Sequence, residues 1–233
     1  MTSTTHDESD GVASTEVSAQ RTDPRIVPRA RGEIRRQEIL RAAMTLFASG
    51  GFHSVSLADI AREVGITQAA IFHYFPNKSA LLLAVMQQRE EEGAARRQER
   101  KRAGMPGLEA FVSGLSENDL HPELVQLFVV LSAESTAPDH PAHDWFRARD
   151  LDVLERNIAE VRRAIDESTL PEGITAEVIA RWLIAISHGL GAQWVVDPQA
   201  FDRAGYVRLF LTLLTPYLRD PGSAPAPSEE PTT

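Results

Sequence analysis

The sequence predicts an all-α protein: an N-terminal three-helix helix-turn-helix domain followed by a C-terminal helical bundle that dimerises. The first observation behind this is the run from Ser56 to Lys78, where capping residues and one glycine delimit two short helices and the start of a third. The second is that apolar spacing stays helical from Gly104 onward, with prolines falling near first turns. The third is that no alternating strand pattern occurs anywhere in the chain.

Within that run, Ser56 is placed to cap the first helix, and Asp59 three residues on completes a capping box. Gly65 can take the positive φ that ends this helix, and Thr67 can cap the next one. A helix, a tight turn and a second helix thus fit within about 20 residues, the size of a helix-turn-helix. Small Ala61 falls where the helices cross, and Ile71 faces back into their shared core. On the second helix Ile71 and Phe75 share the core face, while Ala69 and His73 lie opposite, flanked by Ala70 and Phe72. Two alanines let this helix sit deep in a major groove, with Thr67 and Gln68 at its tip near base edges or phosphates. His73, Tyr74 and Lys78 are expected against backbone phosphate.

Residues 34–86, including A-A-M-T-L-F-A-S-G-G-F, V-S-L-A-D-I-A-R-E-V-G-I-T and I-F-H-Y-F-P-N-K-S-A-L-L, resemble the DNA-binding domain of the TetR family of bacterial transcriptional regulators. The resemblance implies a homodimeric repressor or activator whose C-terminal helical domain binds a small effector. Carried over by position, it puts DNA contacts on Ser56, Thr67, Gln68, Ala70, Phe72, His73, Tyr74 and Lys78. Phe72 stands where many members carry tyrosine, and it has no hydroxyl for a phosphate.

The 233 residues suffice for a substantial core, and the absence of cysteine excludes disulfides and Cys-based zinc sites. No leader-like segment or spanning apolar run is read, so a cytoplasmic protein without membrane contact is expected. The net charge of -9 is uneven. Residues 1–20 hold four acids and no Lys or Arg, residues 21–78 nine bases against five acids, and the remainder 15 bases against 24 acids. Positive charge therefore gathers where double-stranded operator DNA is to be met.

Along the chain, residues 1–30 read as a disordered arm whose basic end, Arg21, Arg25, Arg29 and Arg31, leads into the first helix, residues 31–78 as the DNA-binding domain, 79–219 as the ligand-binding and dimerisation domain, and 220–233 as a disordered tail. The first helix is expected from about Gly32 to Ser49, stopped by Gly50-Gly51. A long helix follows Pro76-Asn77, and its charged half, Gln87 to Arg102, reads as a solvated face. Further helices are expected over Leu108–Leu115, from Pro122, from Pro141 to about Ile165, over Thr175–Val196 and from about Phe201 to Leu218.

Ile179, Leu183, Ile186, Leu190 and Trp194 form an apolar stripe, and Leu209 and Leu213 crowd the last helix. Self-association would bury them, with Gly189 and Gly191 allowing close approach, and the resemblance puts its dimer interface here. Phe128, Trp145, Phe146, Trp182, His188 and Gln193 are the candidates for lining an effector cavity, which needs apolar walls and a few polar groups. His140 and His143 with Asp144, and His121 with Glu123, make a poor metal site, because the pair straddles Pro141 at a helix start. Ser187 and His188 point about 100° apart on one helix and cannot act as nucleophile and base. No catalytic residue, metal or cofactor is therefore assigned. A regulator that activates or ignores ligands is the alternative; a helical enzyme lacks any clustered acid, base or nucleophile.

Overall fold

The computed structural model describes residues 26–220, so most of the expected arm and tail lies outside the described residues. Among the described residues there are nine α-helices, and the only strand-like feature is a lone Ile165–Leu218 antiparallel bridge. They are α1 (Ile26–Ser54), α2 (Leu57–Val64), α3 (Gln68–Phe72), α4 (Lys78–Arg102), α5 (Gly107–Asp119), α6 (Pro122–Glu134), α7 (His143–Ala164), α8 (Ala176–Val196) and α9 (Arg203–Thr212).

Helix α1 starts at Ile26 rather than near Gly32. Pro28 falls in its first turn, where a missing N–H interrupts nothing. The expected stop is present as a break at Gly51, with φ 71° and ψ 175°, before one last helical turn. Ser56 and Asp59 form the capping box on α2, Gly65 closes that helix at φ 71°, and the Thr67 hydroxyl accepts the Ala70 N–H at α3. Asn77 caps α4 and Thr175 caps α8 in the same way.

Two apolar cores result. The first joins Ile39, Ala43 and Phe47 of α1, Ile60 and Ala61 of α2 and Ile71 of α3 to Leu81, Leu82, Val85 and Met86 of α4, and then to Leu127 and Leu131 of α6. Packing is therefore continuous across residue 78. The second core gathers α5, α7, α8 and α9 around Val112, Val161, Ile179, Leu183 and Val207.

Three expectations are corrected here. Helix α5 runs on to Asp119, because Asp119 meets Arg203 at its far end. Helix α9 ends at Thr212 rather than near Leu218. Pro216 has no N–H to continue it, and the chain turns through a 3-10 segment, Thr215–Tyr217, pinned by the Asp166 N–H on the Tyr217 carbonyl (2.9 Å). The stripe Ile179, Leu183 and Trp194 is buried inside the protomer. Different residues of these two helices are left outside: Trp182, Ala185 and Gly189 on α8, and Tyr206, Leu209 and Leu213 on and just after α9. Among the described residues no helix is long and apolar enough to cross a membrane.

Candidate nucleic-acid interface and internal cavity

Because Ile71 is fully buried and the Gly65 turn fixes α3 against α2, the opposite face of α3 is held outward. Thr67, Gln68, Ala69, Phe72 and His73 are exposed there, whereas Ala70 and Tyr74 are half-buried, Tyr74 packing on the first core. Phe72 keeps 49% of its surface open, an apolar area suited to a thymine methyl or a sugar. Ser56 is exposed, but its hydroxyl is engaged with Asp59 (2.5 Å). These hydrogen bonds from Ser56 hold the Asp59 carboxyl below the usual carboxylate range.

Lys78 is used differently from the phosphate contact expected of it. Its Nζ donates to the carbonyls of Phe52 (2.8 Å) and Val55 (2.9 Å) and sits 4.3 Å from the Phe52 ring centroid. The ammonium thus ties the end of α1 to the start of α4. Lys78→Met should lower stability by about 1–3 kcal/mol, the range for a hydrogen bond to a charged group, while the salt slope of operator binding stays unchanged. A slope reduced by about one unit would return Lys78 to phosphate.

Next to this tie, the last residue of α6 meets the same corner. The Glu134 carboxylate accepts the Phe52 N–H (2.8 Å), and Gly51 lies so close that a Cβ there would collide with it. His140 packs edge-on against Phe52 (5.2 Å) and His53 (5.7 Å). Its side chain is closed to solvent, Nδ1 accepts the Ala142 N–H, and Nε2 lies 3.7 Å from Glu134 without a hydrogen bond. Burial pushes the His140 pKa below the ordinary histidine value, and nearby Glu134 pulls it back up. The folded state therefore resists a proton that the unfolded chain accepts near pH 6.5. This contribution to stability is present above that pH and is lost as pH falls below it. Thermal melts between pH 7.5 and 5.5 should show His140→Asn losing less stability than the parent, by at most about 1.4 kcal/mol per pH unit. Equal losses would dismiss His140 as the titrating group.

Behind α4, a cavity of about 600 Å³ opens between α4, α5, α6, α7 and α8. Phe128, Phe146 and His188 line it as expected. Trp145 packs against Phe146 (5.0 Å) and lines a shallow outer depression instead. Trp182 and Gln193 are corrected outright, since both lie on the exposed side of α8 and not on the cavity wall. Gly191 is likewise not on the outer face: its would-be Cβ meets Arg203 (3.2 Å) and Val125 (3.8 Å), so it lines the cavity, while Gly189 has nothing within 4 Å.

The charged wall was not foreseen from the sequence. Arg89, Glu90, Arg96 and Arg97 of α4 face the cavity with Arg149 of α7 and Arg203 of α9, so the charged half of α4 is not a merely solvated face. The spacing of Arg89, Gly93, Arg96 and Arg97 puts them on one side of a helix, with a small residue leaving room, and that was the available signal. Arg203 is buried and held by Asp119 (2.5 Å) with its guanidinium over Trp194. Burial raises the Asp119 pKa, against the pull of Arg203. Ser187 gives its hydroxyl to the Leu183 carbonyl (2.7 Å) and makes no contact of a nucleophile. His143 meets the Ser135 carbonyl and His121 lies by Glu123; among the described residues no three metal-ligating side chains gather.

An outward-facing α3 on a buried three-helix core is thus joined by α4 to a bundle that holds a cavity. Residues 39–85 match the family described as bacterial regulatory proteins, tetR family. The HTH-type transcriptional regulator AcrR of Shigella flexneri is 26% identical over 202 residues, covering 81% of this chain and 94% of that protein. A TetR-family regulator from Agrobacterium tumefaciens superposes with TM-score 0.65 at 24% identity, over 80% of this chain and 98% of that one. SmeT in complex with triclosan gives 0.62 at 25% identity, over 84% and 100%. The helix-turn-helix core thus matches the TetR family of bacterial transcriptional regulators, and the chain as a whole shares the fold of regulators of that family.

Proposed function

We propose that the protein is a homodimeric repressor that binds palindromic operator DNA through α3 and leaves it when a small effector fills the cavity behind α4. The observation that carries this reading is the course of α4. Its first turns belong to the core of the DNA-binding helices through Leu81, Leu82 and Val85, and its Arg89–Arg97 segment lines the cavity. One 25-residue helix, about 37 Å long at 1.5 Å per residue, thus touches both places. Residues 31–78 serve as the reading head and 79–219 as the effector and dimerisation part, a division of labour rather than of packing. Thr67, Gln68, Phe72 and His73 meet the DNA, with Ser56, Ala70 and Tyr74 shaping that surface.

Two heads must enter successive major grooves about 34–36 Å apart, so a shift of α4 against the bundle changes the fit to DNA. SmeT, a structural neighbour, is seen with triclosan, which agrees with a cavity built for an organic molecule. Nuclease protection locates the operator, and titrating an effector against free and operator-bound protein tests the switch. Effector and operator should weaken each other by the same factor. Equal effector affinity for both forms would leave a regulator deaf to that ligand.

A further inference from the structure

The charges around the cavity are unevenly shared. Glu90 is the common partner of three guanidiniums: Arg97 at 2.6 Å, Arg149 at 3.3 Å and Arg156 at 3.9 Å. Glu117 is shared in the same way by Arg100 (2.5 Å) and Arg96 (3.6 Å). Five arginines therefore divide two carboxylates, and the further acids on Arg149 and Arg156, Asp150 and Asp152, are 58% and 57% exposed and weakened by solvent. On the wall itself Arg89, Arg96, Arg97, Arg149 and Arg203 stand against Glu90 and Asp150, so the lining carries a surplus of positive charge.

Arg149 is the arginine best placed to use that surplus. Its guanidinium lies 4.6 Å from the centroid of Phe128, which brings the charge to the apolar part of the cavity. Its Nε is buried without a hydrogen-bond partner, since the approach to Glu90 is off-line. Burial lowers the Arg149 pKa from the usual arginine value, with Glu90 as the main counterweight, yet an arginine so placed stays charged. His188, open to the cavity, has its pKa lowered by desolvation and then by Arg149, which favours its neutral form. A cation entering here would meet Arg149 where an aromatic face would otherwise receive it. A neutral ligand would leave the surplus charge unanswered.

Resting on the effector reading above, we propose that this cavity takes an anionic amphiphile, its carboxylate or comparable anionic head against Arg149 and its apolar body against Phe128 and Phe146. The chemistry is a charge-assisted, bidentate-capable contact beside an apolar slot.

The test uses the full chain and three probes of one tail below their micellar concentrations: decanoate, decanol and decyltrimethylammonium, followed by calorimetry. Decanoate should bind about tenfold or more tightly than decanol, the gain of one charge-assisted pair, and the ammonium should bind most weakly. Arg149→Met should bring decanoate to the level of decanol while decanol binding persists. Ammonium binding as tight as decanoate, or a carboxylate preference that survives Arg149→Met, would overturn the anionic class and leave the effector cavity standing. Ile184→Trp, or Ala192→Trp should the first fail to fold, fills the cavity and should abolish all three; decanol binding untouched by either filling, or no binding of any probe, would instead sink the cavity reading and the proposal with it.

Discussion

Leu213→Glu should split the dimer into monomers and lower operator affinity by about a hundredfold or more, the outcome of burying an unpaired charge costing several kcal/mol in an apolar contact. Leu213 is 66% exposed in the protomer and Leu209 50%, and Tyr206 and Trp182 are exposed as well. These residues recur at three- and four-residue intervals on α8 and on and just after α9, so each of these two packed helices presents an apolar face that the protomer leaves bare. Gly189 lies on the α8 face with open space where a Cβ would be, although alanine is the better helix former by about 1 kcal/mol. A close second backbone would explain the glycine. Leu209→Glu should act like Leu213→Glu, while Leu151→Glu, at an equally exposed leucine on α7, should stay dimeric. Sedimentation that finds both α9 variants as intact dimers would move the interface elsewhere.

What could be foreseen and what could not divides along the range of the interactions. The caps at Ser56 and Thr67 and the stops at Gly51 and Gly65 are local, each satisfied within four residues of its own helix end, and they were legible. Periodicity assigned residues to helix faces but not to neighbours. It named Trp182 and Gln193 with His188 for the cavity, yet only His188 turns inward. Gly189 and Gly191 are two residues apart, so they point about 200° apart and cannot share a role. Arginines on a helix resemble a solvated surface until their partners are placed, and Glu117 reaches Arg100 only through the return of α5 along α4. The Phe52 and Glu134 contact spans 82 residues and has no sequence signature at all.

That contact leads to the second large effect. Glu134→Ala should uncouple the two ligands, shrinking the factor by which an effector weakens operator binding by about tenfold, within the usual 5- to 150-fold range of such couplings. Helix α6 lines the cavity through Phe128, Val129 and Ser132 and ends on Glu134, whose carboxylate holds the Phe52 N–H. The Phe52 carbonyl in turn receives Lys78 at the start of α4. A displacement of α6 by a bound molecule is therefore passed through two hydrogen bonds to the helices that carry α3. Gly51 leaves the room this contact uses, because a Cβ at its positive φ would collide with the Glu134 carboxylate. Glu134→Gln keeps an acceptor for the Phe52 amide and should retain most of the coupling, whereas Glu134→Ala leaves that amide without its partner. Operator affinity measured with and without effector, for both variants, decides the matter: an unchanged coupling factor in Glu134→Ala would show that the signal runs along α4 alone.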